Sequence, residues 1–470
     1  MLRSKTFRTR ILALIAALAL LAGACGDATE GDNATVDPTT PPAAGDETPA
    51  DETPSDEPDE PVDETPTEPL TASWTGVTED TIRLGFTTSD LVELKAMGLV
   101  DLDRGDPQQV LDALIADVNN RGGIHGRLLE AHLEVLLPID ATAADAACVR
   151  MTEDDPVFAV LAPFVGPNTT LNPCINDTNE TIIVGGAPTP SQLEISRAPW
   201  LSDRMFSDRR LRGVVQLLEE AGLLGDIVGV SVTAEEQSVA NEIVIPALQE
   251  LGKEIVDVVL SVEVGDQLAA AAAWETFIER FRVEGVDSVV MVENTGTFGA
   301  TELARSGLDA KYLIVDSNAL VSGIGRRGEI DNALLNGVIG AGGASEDEEW
   351  ELAATQDCVG VFEAANPGIT VVPTSQVAEG DSDWLGNIMI FCAPLRLFEL
   401  AATAAGAELT HASFLAGAES LGEIELPGQV FASIAPGKYD AADAIRLTEF
   451  DSTVHADGAA VPFGPLTAVN

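Results

Sequence analysis

Short runs of β-branched residues alternate along the chain with longer stretches whose apolar positions recur every three or four residues. Thr81-Ile82-Arg83-Leu84-Gly85-Phe86 reads as a strand, and residues 108–119 read as a helix with Val110, Leu111, Leu114, Ile115 and Val118 at helical spacing. Asn119-Asn120-Arg121-Gly122-Gly123 stops that helix, because Asn and Gly accept the left-handed conformation of a helix end. Residues 128–137, 157–161 and 181–184 are the next strands, the last two separated by a segment around Asn172 to Thr178. The pattern then restarts, with strands at 227–232 and 254–260 around a helix at 239–251. A helix at 268–283 follows, then strands at 288–292 and 312–315.

Alternation of this kind predicts an α/β fold with parallel sheets and right-handed crossovers, one sheet in each half. Two such Rossmann-like lobes side by side leave a cleft. Ligands of parallel sheets bind beyond the carboxyl ends of strands, on loops and helix N-termini. In the first lobe those positions hold Thr87, Thr88 and Ser89, then Phe164 through Asn168 and Thr169 to Thr170, then Gly186 to Thr189. In the second they hold Thr233 to Gln237, with Glu236, then residues 293–298, with Asn294, and Asp316-Ser317-Asn318.

The first residues change the picture of where this fold works. Arg3, Lys5, Arg8 and Arg10 precede an uncharged apolar run over residues 11–21, and Ala22-Gly23-Ala24 leads into Cys25. That is the order of a secretory leader, too short for a comfortable membrane span. Cys25 directly after small residues resembles the lipobox of bacterial lipoproteins, which implies a lipid on its sulfur and anchorage to the cell membrane outside the cytoplasm. An ordinary cleaved signal with an incidental cysteine is the alternative. Residues 27–70 hold fifteen carboxylates, no Lys or Arg, and repeats such as Asp46-Glu47-Thr48-Pro49 and Asp51-Glu52-Thr53-Pro54. Such a segment cannot bury enough surface to offset its ordering entropy, so it reads as an extended spacer.

About 400 residues remain after the spacer, more than one core comfortably holds, which again favours two lobes. The formal net charge is −52, a field that repels nucleic acid and anionic lipid surfaces and that also fits a saline habitat. Beyond the leader, no second apolar stretch reads as long enough to span a bilayer. Four cysteines besides Cys25 make an even number in an exported chain. Local pairing, Cys148 with Cys174 and Cys358 with Cys392, is the simplest of the three connectivities. Each bridge would add about 3–4 kcal/mol in the chain-entropy model. A catalytic thiol would need a companion among His125, His132, His411 and His455, and none is obvious.

Val118-Asn119-Asn120-Arg121-Gly122-Gly123-Ile124-His125-Gly126-Arg127-Leu128-Leu129-Glu130 resembles a signature of one group. That group is the solute-binding lipoproteins of ABC importers in the branched-chain amino acid class, with the type I periplasmic binding protein fold. Gly166-Pro167 within residues 162–170, Ala198-Pro199-Trp200-Leu201, and residues 246–252 and 281–290 are similar to the same group. The resemblance covers nearly everything from about Val77 onward. It implies three chain crossings at a hinge, a ligand trapped by lobe closure, a permease and ATPase as partners, and no chemistry on the ligand. It also implies that Asn168, Thr169 and Thr189 meet an amino acid's carboxylate and that Asp316 stands near the acid that meets its ammonium. The tyrosine-containing turn usual in the second lobe is replaced here by Ala234-Glu235-Glu236-Gln237, and the chain has only two tyrosines. Extra carboxylates at the cleft fit a cationic or polyhydroxy solute as well as an amino acid.

Plainer roles stand beside these. Asp316 reads equally as a turn cap, Thr189 as ordering a Pro-flanked loop, Glu236 as a solvated charge at a helix start, and Phe164 and Trp200 as packing residues. Gly323-Ile324-Gly325-Arg326-Arg327-Gly328 matches a dinucleotide fingerprint by spacing, but it does not join a strand to a helix. No Gly-x-Ser-x-Gly elbow, zinc helix motif or P-loop occurs. The sequence therefore predicts a leader (residues 1–24), a spacer (25–72), a first lobe (73–205 with 345–430) and a second lobe (206–344 with 431–470). No cofactor or metal is expected. A small-molecule solute is the expected ligand, delivered to a membrane permease. A receptor passing occupancy to a signalling partner, and an exported hydrolase, are the alternative functions.

Overall fold

The computed structural model describes residues 70–96, 103–137, 141–162, 171–234, 236–262, 267–292, 295–315, 332–378, 380–454 and 459–469. The first sheet contains β1 (Thr81–Ser89), β2 (Leu128–Leu136), β3 (Ala159–Leu161), β4 (Ile182–Val184) and β5 (Trp200–Leu201). All its pairings are parallel, in the order β2-β1-β3-β4-β5. The strand order reverses at β1, so the crevice between the carboxyl ends of β1 and β3 is this sheet's switch point.

The second sheet is built from β6 (Ile227–Thr233), β7 (Glu254–Leu260), β8 (Ser288–Met291), β9 (Lys311–Ile314) and β10 (Ile339–Gly342). A small pair, β11 (Gly422–Glu423) with β12 (Ser433–Ile434), precedes two further strands, β13 (Ala444–Asp451) and β14 (Ala459–Ala468). β13 and β14 extend the second sheet antiparallel, giving the order β14-β13-β10-β9-β8-β6-β7. Its switch point lies between β6 and β8.

Local sequence explains the elements. Asp106 caps the Pro107–Asn120 helix by accepting from the Gln108 N–H, and Pro107 occupies a position whose N–H would have no partner. Val110, Leu111, Leu114 and Val118 are its buried stripe. The turn after it needs Gly123 at φ 67°, where a Cβ would fall 2.0 Å from the Arg127 carbonyl oxygen. Helices cover both faces of each sheet. In the first lobe one face packs Phe86, Phe158, Phe362, Phe391, Phe398 and Phe414 together, and the other packs Met151, Val160, Ile175 and Trp200. Both expected disulfides form here, Cys148 with Cys174 and Cys358 with Cys392.

The 22-residue helix Trp384–Ala405 corrects one expectation, because it is long and apolar enough to cross a membrane. It serves instead as the core helix of the first lobe. Thirteen of its residues are buried, Cys392 is bridged to Cys358, and Arg396 pairs with Asp117.

The chain passes between lobes three times. It enters the second lobe after β5, through Ser202 into the Ser207–Glu220 helix. It returns after β10 through helix Glu346–Trp350 to helix Ala353–Ala365, and crosses again from β12 to β13. Ala432, Ile434 and Ala441 pack in the first lobe's cluster, whereas Ala442 and Ile445 pack in the second's. The last crossing therefore lies later than the boundary at 430/431 read from the sequence.

Candidate functional site

Each switch point is closed by a buried threonine. Thr87, at the end of β1, donates its hydroxyl to the Ala162 carbonyl just past β3 at 2.5 Å. Thr88 beside it is also buried. In the second sheet, Thr295 donates to the Ser231 carbonyl of β6 at 2.9 Å and lies 2.8 Å from the Val292 carbonyl past β8. The Ser231 hydroxyl donates back to Thr295 Oγ1 at 3.2 Å. Thr295 falls within the segment 293–298, read from the sequence as a candidate contact, whereas Ser231 reads only as part of the strand 227–232.

The loop after β4 is tied to the first crossing. The Trp200 indole N–H donates to the Gly185 carbonyl at 2.8 Å, the Ser202 hydroxyl donates to that of Gly186, and the Ser207 hydroxyl donates to that of Ala187 at 3.0 Å. Thr189 then caps the Pro190–Ile195 helix reciprocally with Gln192 and shares a hydroxyl contact with Ser191 at 3.0 Å. Trp200 thus combines packing with a loop-holding bond. Glu236 is engaged in the same style. Its Oε2 accepts from the Thr233 hydroxyl at 2.9 Å, while its own N–H donates to that hydroxyl at 3.3 Å. Phe164, Asn168, Thr169, Asn294, Asp316 and Cys25 lie outside the described residues.

The hinge beneath these loops is held by charge. Ser202 N–H donates to the Tyr439 carbonyl at 2.9 Å, and Ala441 N–H donates to the Ser202 carbonyl at 2.7 Å. Arg209 reaches Asp440 Oδ2 at 2.9 Å, Asp443 Oδ1 at 2.8 Å and the Val469 carbonyl at 2.7 Å. Lys438 reaches the Asp440 carbonyl at 2.5 Å and Asp443 Oδ1 at 2.9 Å. Arg446 of β13 holds Glu348 of the second crossing at 2.7 Å. Burial pushes the Asp440 carboxyl up against the opposing pull of Arg209, and burial pulls the Lys438 ammonium down.

A cavity of about 790 Å³ runs along the Ser207–Glu220 helix, between Leu193, Ala247, Leu251, Tyr439 and Val469. It lies beside the hinge. Pro188 and Pro190 line it, yet Thr88, Thr189 and Glu236 do not. The candidate site is therefore taken from strand topology and not from this cavity, whose lining includes neither Thr87 nor Thr295 of the two switch points.

No family model matches the chain, and no curated protein matches it in sequence. Solved structures are similar to it in fold. A fatty acid ABC transporter substrate-binding protein from Thermomonospora curvata matches with a TM-score of 0.54 and 16% identity, over 84% of this chain and 94% of that one. A Desulfitobacterium hafniense ABC transporter substrate-binding protein in complex with Leu matches with a TM-score of 0.55 and 14% identity, over 82% and 100%. The closed leucine-, isoleucine-, valine-, threonine- and alanine-binding protein of Brucella ovis matches with a TM-score of 0.56 and 12% identity, over 83% and 95%. Identities this low establish a shared fold.

Proposed function

We propose that this chain, which has the fold of the type I periplasmic binding proteins, is the extracytoplasmic solute-binding component of an ABC importer. It captures a small polar solute, an amino acid or a related compound, between its lobes and presents the closed form to a membrane permease. The carrying observation is the pair of switch points, each edged by a buried threonine hydroxyl, on two lobes joined by three chain crossings. A hinge of that kind turns occupancy into a shape that a partner can read. The leader and Cys25 support export and lipid anchorage, and the acidic spacer supports a lobe pair held off the membrane. Thr88 and Thr189 in the first lobe, and Glu236 in the second, remain ligand-contact candidates, with Phe164, Asn168, Thr169, Asn294 and Asp316 completing the set.

The test is a thermal-shift screen of the purified protein, disulfides intact, against amino acids, amides, polyamines, sugars and aromatic acids. A specific solute at about 100 times its Kd adds about 2.7 kcal/mol to stability. Compaction of the liganded protein in small-angle scattering is expected alongside. Turnover of the added solute, or no stabilisation by any class, would defeat this reading.

A further inference from the structure

Two buried amide oxygens of the first lobe border one small cavity. Asn172 and Asn176 are 5% and 1% exposed, and neither Oδ1 has a hydrogen-bond partner among the described residues. They stand four residues apart, on one face of the helical residues 171–178 that follow β3. The Cys148–Cys174 bridge anchors that segment between them. The Asn176 amide nitrogen donates to the Thr181 and Ala198 carbonyls at 3.3 and 3.0 Å, which fixes the end of the amide left as oxygen. Both residues line a cavity of about 10 Å³ that Asp177, Gln192, Ser196 and Trp200 also border. That space takes one water-sized sphere.

Donors that could serve these oxygens are committed elsewhere. The Ser196 hydroxyl donates to the Gln192 carbonyl at 3.0 Å, and the Trp200 indole N–H donates to that of Gly185 at 2.8 Å. Gln192 Oε1 accepts the Thr189 N–H at 2.9 Å. A buried acceptor left without a partner is costly, and a cation is an occupant that asks only for acceptors. Divalent ions match poorly. Calcium takes about six to eight oxygens and magnesium keeps several waters. This lining has one carboxylate, Asp177, already 3.1 Å from the exposed Arg197 guanidinium. The long-range field agrees, because a net charge of −52 concentrates cations around the protein.

We propose that this cavity is a binding site for one alkali cation, held by the side-chain carbonyls of Asn172 and Asn176 with the Asp177 carboxylate beside them. The cation ties residues 171–178 to the Pro190–Ile195 helix, whose Gln192 completes the cap on Thr189. Those two segments flank Asn168, Thr169 and Thr189, so cation and solute each tighten the other by the same factor. That coupling rests on the solute-binding reading above. The site does not, and melting in the absence of solute tests it separately.

The test is thermal melting of the purified protein at constant ionic strength in sodium, potassium or N-methylglucamine chloride. An alkali chloride should raise the melting temperature by about 3 °C or more over N-methylglucamine, and the larger of the two shifts identifies the resident ion. Asn172→Leu removes one oxygen and should abolish the difference. Asn172→Asp adds a charge to the lining, should enlarge the difference, and serves if Asn172→Leu fails to fold. No difference in the parent would overturn the site and leave the cavity to water. An equal difference in the parent and both variants would overturn it too, by placing the cations on the acidic surface at large. A cation-dependent melting temperature with cation-independent solute affinity would overturn the coupling alone.

Discussion

Arg209 and Asp440, 231 residues apart in sequence, meet across the seam of the two lobes, with Nε 2.9 Å from Oδ2. The same guanidinium also holds Asp443 and the Val469 carbonyl, so the first crossing, the last crossing and the C-terminal strand share one cation. Asp440→Ala would leave Arg209 and the Phe206 N–H facing a gap in a largely buried site. Because Arg209 keeps Asp443 and the Val469 carbonyl, the loss is that of one charged bond and the Phe206 N–H, about 1–3 kcal/mol. Urea denaturation should show that loss, and solute affinity should change with it, because the lobes would no longer share a fixed pivot. An Asp440→Ala protein of parental stability would mean that the backbone pairing of Ser202 with Tyr439 and Ala441 suffices.

Acid should act elsewhere. Burial pushes the Glu134 carboxyl up, but hydrogen bonds from Arg150 at 2.6 Å and His132 at 2.7 Å, with their charges, outweigh it and hold it below the ordinary glutamate value. A depressed carboxylate adds stability that is complete above its unfolded value and is lost as pH falls through the folded one. Glu134→Gln should therefore be less stable than the parent at pH 7, by about 1–3 kcal/mol. The gap should close on acidification below the unfolded glutamate range. For Asp440 the sign is opposite. Its raised carboxyl takes up a proton more readily in the folded state, so acidification through that range does not by itself weaken the hinge.

Arg127 ties the segment from Thr71 to Thr78 to the first lobe. Fully buried, it donates from Nε to the Thr78 carbonyl at 2.7 Å, from Nη1 to that of Ala407 at 2.7 Å and from Nη2 to that of Thr71 at 2.9 Å. A lysine cannot reach three carbonyls in one plane, so Arg127→Lys should fail to substitute. Arg127→Met should free the segment from Thr71 to Thr78, visible as faster amide exchange there. Stability should fall by about 2–4 kcal/mol, one or two charge-assisted bonds net of solvation. Unchanged exchange over that segment would mean that the Ser73 bond to Leu409 and the Trp74 ring against His411 hold it alone.

Much of this was legible in the sequence wherever periodicity is local. Eight strands between residues 81 and 315 and the helices near 108–119, 239–251 and 268–283 were readable because each buries one stripe or one run, and alternation implied parallel sheets. The helices Ala141–Val149, Ser207–Glu220 and Thr295–Ser306 were not read. Beyond that the signal fades for physical reasons. The Trp384–Ala405 helix is apolar nearly all round, because neighbouring helices and the sheet cover it, so it carries no amphipathic period. Pro462 and Pro465 mask β14, which tolerates them as the edge strand of its sheet. At the site, the loops followed from strand ends, but roles did not. Thr189 caps its helix, in keeping with the loop-ordering role its flanking prolines suggested, whereas Glu236, read as a solvated charge, accepts from the Thr233 hydroxyl.

The two switch points offer a matched experiment. Thr87→Val keeps shape but removes the hydroxyl that joins β1 to the Ala162 carbonyl, and Thr295→Val removes the one that joins β6 to β8. Each buried carbonyl then loses a donor, at about 1–3 kcal/mol. The sites lie in different lobes, so the effects should add in the double variant. Affinity separates the two roles of these bonds. If they preorganise the cleft loops, each single variant should weaken solute binding beyond the change that its stability explains, measured at temperatures where both proteins are fully folded. Equal affinity at full folding would mean that the threonines stabilise the sheets and leave the cleft geometry to the loops themselves.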